Sequence, residues 1–126
     1  MATQLLTTKS LDDMPKDTRR GGTVQVLLSP KTVGSTTGFM GVATLQPGEK
    51  ISEHYHPYSE EFVYVVRGKI VAQCDGASYE IASQQGLVIP IAVKHRLLNE
   101  GDEEAQLVFH LCPLAPRPDM GHVDTE

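Results

Sequence analysis

The sequence predicts an all-β domain, and three observations carry that reading. Short runs rich in β-branched and aromatic residues recur at steady spacing along the 126 residues. Turn signals separate them, among them Gln46-Pro47-Gly48, Asp75-Gly76 and Asn99-Glu100-Gly101-Asp102. The chain shows no heptads and no repeat at a fixed period, and little of it reads as helix. Many short strands joined by such turns make a sandwich or a barrel.

The elements follow in order. Residues 1–20 are polar and charged and read as an N-terminal arm. Around Ser10–Lys16 a short helix or extended segment fits, with Ser10 as cap and Pro15 as interruption. Arg19-Arg20-Gly21-Gly22 breaks it. Residues 23–29 (TVQVLLS) read as a strand that Pro30 ends, and residues 34–37 as a small-residue loop. Residues 37–45 form the next strand, with Gly41 inside it marking a bulge or a close backbone approach. Residues 50–56 are a strand that turns at Pro57, and EFVYVVR (61–67) is the strand that returns. KIVAQC and SYEIA pair across the two-residue turn Asp75-Gly76. LVIP (87–90) is apolar and is expected to be buried. VKHRLL (93–98) alternates, placing His95 and Leu97 inward and Lys94, Arg96 and Leu98 outward. AQLVFHLC (105–112) is the last long strand, and residues 113–126 read as an irregular, proline-rich tail.

Composition bounds the function. The length suits one domain with a real core. A net charge of −5 argues against nucleic acid and anionic membrane surfaces as partners. No apolar run approaches the roughly 20 residues that span a bilayer. The opening residues, MATQLLTTKS, lack the basic and apolar blocks of a secretory signal. Cys74 and Cys112 lie in separate strands without CxxC spacing, so reduced thiols and a cytoplasmic location are expected.

The chemistry concentrates in residues 48–68, GEKISEHYHPYSEEFVYVVRG. Side chains two apart on a strand share a face, so His54 and His56 point the same way. The turn at 57–60 brings Glu61 back beside them. A third histidine, His95, lies in the second stretch, residues 86–99. Three imidazoles and one carboxylate suit a divalent transition metal: Zn as the first choice, with Fe, Ni, Co or Mn also compatible. Glu60 has the opposite parity and is read as solvated or supporting, the swapped assignment staying open. Val63 and Val65 share Glu61's parity and are expected to line the cavity. Phe62, Tyr64 and Val66 then face outward and need a cover, for which a dimer through this sheet or through an exchanged N-terminal strand is expected. His110 is a candidate catalytic acid or base, with a core histidine as its alternative. Tyr58 is a candidate hydrogen-bond donor at the cavity mouth. Arg19 and Arg20 read as a solvated pair that an arm over the mouth could offer to an anionic substrate. His122 reads as solvated or edge-packed.

The two stretches resemble the paired signatures of the cupins. Gly48, His54, His56, Glu61 and Gly68 match G-x5-H-x-H-x3,4-E-x6-G, and that register selects Glu61 over Glu60. Pro90, His95 and Asn99 match the second signature, G-x5-P-x-G-x2-H-x3-N. Ala92 stands where its second glycine belongs, and Gly86 is closer to Pro90 than the pattern asks. The resemblance implies a single-domain double-stranded β-helix, or jelly roll, open at one end. Residues 19–22 (RRGG), 32–41, 54–68 and 113–126 further resemble the small actinobacterial aromatic polyketide cyclases of the tetracenomycin J type, including those of spore-pigment and resistomycin-like clusters. That resemblance implies a metal-dependent, regiospecific aldol-type closure of a poly-β-ketone carried on an acyl carrier protein. The same ligand set also suits a metal-dependent dioxygenase or other oxidoreductase. A non-catalytic assembly factor of an aromatic polyketide synthase is the third reading.

Overall fold

A computed structural model describes residues 6–126; the first five residues of the N-terminal arm lie outside the described part. Among the described residues, ten strands form two antiparallel sheets. They are β1 (Thr23–Leu28), β2 (Phe39–Leu45), β3 (Lys50–Tyr55), β4 (Glu60–Arg67), β5 (Lys69–Cys74), β6 (Ala77–Ala82), β7 (Gly86–Ile89), β8 (His95–Leu98), β9 (Ala105–Cys112) and β10 (Val123–Asp124). One sheet runs β1-β2-β9-β4-β7 and the other β10-β3-β8-β5-β6. This all-β architecture is the expected jelly roll. No helix among the described residues is long and apolar enough to cross a membrane.

Period-2 alternation builds the core. On β9 every second residue is buried, so Leu107, Phe109 and Leu111 face inward against Ala43, Leu45, Val63 and Val65. The second sheet adds Ile70, Ala72, Ile81 and Leu97. The β5–β6 turn has Asp75 at φ 48° and Gly76 at φ 83°, the left-handed pair that matches strand twist in a tight hairpin. Gly41 on β2 answers the expectation of a close approach. A Cβ there would sit 2.4 Å from the Gln25 carbonyl oxygen and 2.6 Å from the Phe109 ring. Phe109 lies across from it in the register and covers its bare backbone.

Three elements depart from the sequence reading. In residues 87–90, Ile89 is buried but Val88 and Pro90 are exposed, because β7 is an edge strand. Pro30–Val33 form a short helix, α1, whose cap Ser29 accepts a hydrogen bond from the Thr32 amide. The reading stopped at Pro30 as a strand terminator, although proline also suits the first turn of a helix. The tail is not wholly irregular. Its residues 118–120 make a 3-10 turn, and β10 then pairs with β3, Val123 opposite Tyr55 and Asp124 opposite His54. Two residues carry no legible strand signal. At the other end, Leu11–Asp13 form a 3-10 turn over β1, where Gln25 donates to the Leu11 and Met14 carbonyls.

Replacing Gly41 by Ala is expected to lower stability by about 1–3 kcal/mol, the cost of overpacking against backbone that must shift. Urea unfolding measures it, and an unchanged midpoint would mean that β1 and Phe109 yield freely.

Candidate metal centre

His54 lies near the end of β3 and His56 just beyond it; Glu61 sits on β4, and His95 opens β8 opposite His54. The β3 register shifts between Ile51 and His54. That bulge lets Ile51 point into the core while His54, three residues on, also points inward. His54, His56, Glu61 and His95 are all buried, and their ligand atoms lie within 4.8 Å of one another. Glu60 stays outside this group.

Each imidazole is held by its Nδ1. His54 donates to the Ser52 carbonyl at 2.7 Å, His95 to the Val93 carbonyl at 3.0 Å, and His56 to the Gly121 carbonyl at 2.9 Å. A carbonyl can only accept, so Nδ1 carries the proton in all three rings. In a neutral imidazole Nε2 then carries a lone pair. Glu61 Oε1 lies 3.1 Å from His56 Nε2 and 3.2 Å from His95 Nε2. Although these distances are short, Glu61 Oε1 and His95 Nε2 form no aligned hydrogen bond and are buried without a partner. Acceptor atoms converging on one buried point suit a cation there. A divalent metal fits that donor set, and a proton shared between the groups is its metal-free substitute.

The ionisation pattern has the same origin. Burial, followed by the nearby His95, lowers His54 to about 3 and keeps it neutral. Burial pushes the Glu61 carboxyl up, but His56 and His95 outweigh it and hold Glu61 below the usual carboxylate range. Burial likewise depresses His95, and Glu61 reverses the sign, leaving it raised.

Beside the cluster opens a cavity of about 430 Å³, within the range of small-molecule sites. Its walls include Val24, Val26, Phe39, Ile51, Leu97, Leu107, Phe109 and Leu111; His54, His56 and Glu61 supply polar wall. Phe39 meets Phe109 edge to face at 6.3 Å. Arg19 and Arg20 do reach the mouth, where Arg19 pairs with Asp17 at 2.7 Å and Arg20 with Asp124 at 2.8 Å.

Other expected positions fall elsewhere. His110 shares a row with Val108, opposite to Phe109, so alternation turns it to the outer face of the sheet, 6.1 Å from the Phe62 ring. It does not line the cavity. Tyr58 is exposed on the turn after His56 and does not line it either. Val63 and Val65 point inward but are buried in the apolar core rather than the cavity wall. Asn99 is buried and structural, its amide donating to the Leu45 and Glu103 carbonyls. Ala92 takes φ 67°, the left-handed conformation that a glycine adopts without strain, and its amide donates to the His56 carbonyl at 2.9 Å.

Sequence reasoning missed His122. Its ring stacks on His54 at 4.3 Å and 14°, and it lines the cavity. No spacing pattern links it to a histidine 68 positions earlier.

Comparison with known proteins assigns the family. The profile described as Cupin domain matches residues 41–111. The chain belongs to the cupin family. It is 61% identical to the polyketide synthase CurC of Streptomyces cyaneus, over 86% of this chain and 70% of that one. It is 43% identical to the tetracenomycin polyketide synthase protein TcmJ of Streptomyces glaucescens, over 86% of this chain and 72% of that one. Among solved structures, a predicted oxalate decarboxylase of Thermotoga maritima superposes with a TM-score of 0.74 over 86% of this cupin and all of that chain. At 17% identity it supports the fold alone. His54 and His95 come from neighbouring strands of one sheet and Glu61 from a strand of the other, with His56 just beyond the end of β3.

Zinc at about 100 times its dissociation constant is expected to stabilise the wild-type chain by about 2.7 kcal/mol through mass action. Glu61→Gln is expected to lose most of that gain. Thermal melts with zinc and with chelator measure both, and identical wild-type melts in the two conditions would count against a metal here.

Proposed function

We propose that this cupin is a metal-dependent polyketide cyclase, which directs aldol-type ring closure of a poly-β-ketone delivered by an acyl carrier protein in the cytoplasm. The observation that carries the reading is a buried three-histidine, one-carboxylate cluster at the wall of an apolar cavity, in a chain similar over most of its length to polyketide synthase components. His54, His56, Glu61 and His95 would hold the metal, which would act as a Lewis acid on a ketone and favour its enolate.

The chain's own contribution is mainly positional. A poly-β-ketone is already reactive, and its difficulty lies in which carbons meet. Apolar walls from Phe39, Leu107, Phe109 and Leu111 restrict how such a chain folds, which converts proximity into regiochemistry. The same walls exclude water and strengthen electrostatic contacts at the cluster. Arg19 is mostly exposed at the mouth, and its pairing with Asp17 would have to open for it to meet an anionic carrier arm. Proton transfers during loss of water would fall to groups facing the cavity, where neither His110 nor Tyr58 lies.

Product profiling of a defined minimal polyketide synthase tests the reading. Added wild-type protein is expected to shift the ring pattern without oxygen uptake. His54→Ala and His95→Ala are expected to lose the effect by about 100-fold or more, as for removal of a group that stabilises developing charge, while the fold persists. An unchanged pattern with wild-type protein would reject both the cyclase and an assembly role, and oxygen consumption with iron would favour an oxygenase.

The exposed row Phe62, Tyr64 and Val66, with Val88 beside it on β7, supports a homodimer through the outer face of that sheet. Phe62→Glu with Tyr64→Glu is expected to give a monomer by light scattering; a wild-type monomer would refute the interface.

A further inference from the structure

The three histidine rings are not held in the same way. His54 and His95 use carbonyls two residues back in their own segments. His56 uses the carbonyl of Gly121, 65 residues away in the tail. His122, the next residue, lays its ring flat on His54 and meets His56 edge-on at 5.4 Å and 74°.

We propose that the segment Gly121–Asp124 is a positioning part of the metal centre, with the Gly121 carbonyl orienting His56 and the His122 ring bracing His54. This inference rests on the metal reading above and extends it to residues outside both cupin signatures.

The segment is held by polar tethers. A two-residue strand has little stability of its own. His122 Nε2 donates to Asp124 Oδ1 at 2.7 Å, and the same oxygen accepts from Arg20 Nε at 2.8 Å. The Thr125 amide donates to the Glu53 carbonyl at 3.0 Å, and Arg96 grips the Glu126 carboxylate through two nitrogens at 2.7 and 2.8 Å. Asp124 is therefore the knot joining the N-terminal arm, the tail and the ring over His54. Freed of it, the tail no longer holds its carbonyl against His56, and that ring gains rotational freedom. Losing a partner that orients a metal-binding histidine typically weakens affinity by about 10–100-fold.

The experiment uses the full-length chain and cobalt(II) as probe. Affinity comes from competition with a chelator, geometry from the visible absorption of the bound ion, and stability from urea unfolding of the metal-free protein. Wild type is expected to bind one cobalt per chain. Asp124→Ala and His122→Ala are expected to bind about 10-fold more weakly or worse, with an altered spectrum, while the metal-free midpoint stays close to wild type. His122→Phe, which keeps a ring over His54, is expected to fall nearer to wild type than His122→Ala. Variants within twofold of wild-type affinity and with its spectrum overturn the inference and leave the metal site standing. A loss of affinity matched by an equal loss of metal-free stability overturns it too, since the segment is then merely part of the fold. A wild-type chain that takes up no cobalt sinks the metal reading and this inference together.

Discussion

The structure depends on a buried carboxylate that faces imidazole nitrogens with no aligned hydrogen bond between them. An ionised carboxyl in a dry interior is costly unless positive charge or well-directed donors compensate it. Glu61 has two close Nε2 atoms, yet the Nδ1 protons of those rings are committed to backbone carbonyls. Such an arrangement is poor for a structural ion pair and well suited to holding a cation. The ligands, the bulge before His54 and the apolar cavity wall lie around that one point, with Glu61 on one sheet and His54 and His95 on the other.

The cavity shows how backbone sterics shape a site at a distance. Gly41 has no side chain, so Phe109 can lie over β2. Phe39 then meets it edge-on, and the pair gives the cavity an aromatic wall. The same alternation that turns Phe109 inward turns His110 outward. One residue of register thus separates a cavity-facing group from one on the outer surface. Departures from the cupin signatures are absorbed locally. Ala92 accepts the left-handed backbone meant for glycine, at a cost of about 1–2 kcal/mol, and its amide still ties down the His56 backbone.

Much of this was legible from residues alone because the informative patterns are local. Alternation placed His54 with His56, and His95 with Leu97. The register of the cupin signature that the segment resembles chose Glu61 over Glu60. Turn chemistry located the Asp75-Gly76 hairpin. The alternation and the turn need nothing beyond a strand's period of two and the conformations that glycine and proline allow. The same reasoning overreached for Val63 and Val65. Inward parity says that a side chain leaves the surface, but not whether it meets core or cavity.

By itself, then, the sequence determined the all-β class and most strand positions through spacings within a few positions, and it pointed to the four residues that converge through the resemblance to the paired cupin signatures. Tertiary structure alone decided that the last residues return to β3, that Gly121 steadies His56, and that His122 covers His54. Those contacts join positions more than 60 apart, through a carbonyl that every residue possesses and a ring that no spacing rule connects to the signatures. Backbone hydrogen bonds leave no trace in side-chain identity, so only the folded chain reveals which carbonyl reaches which ring.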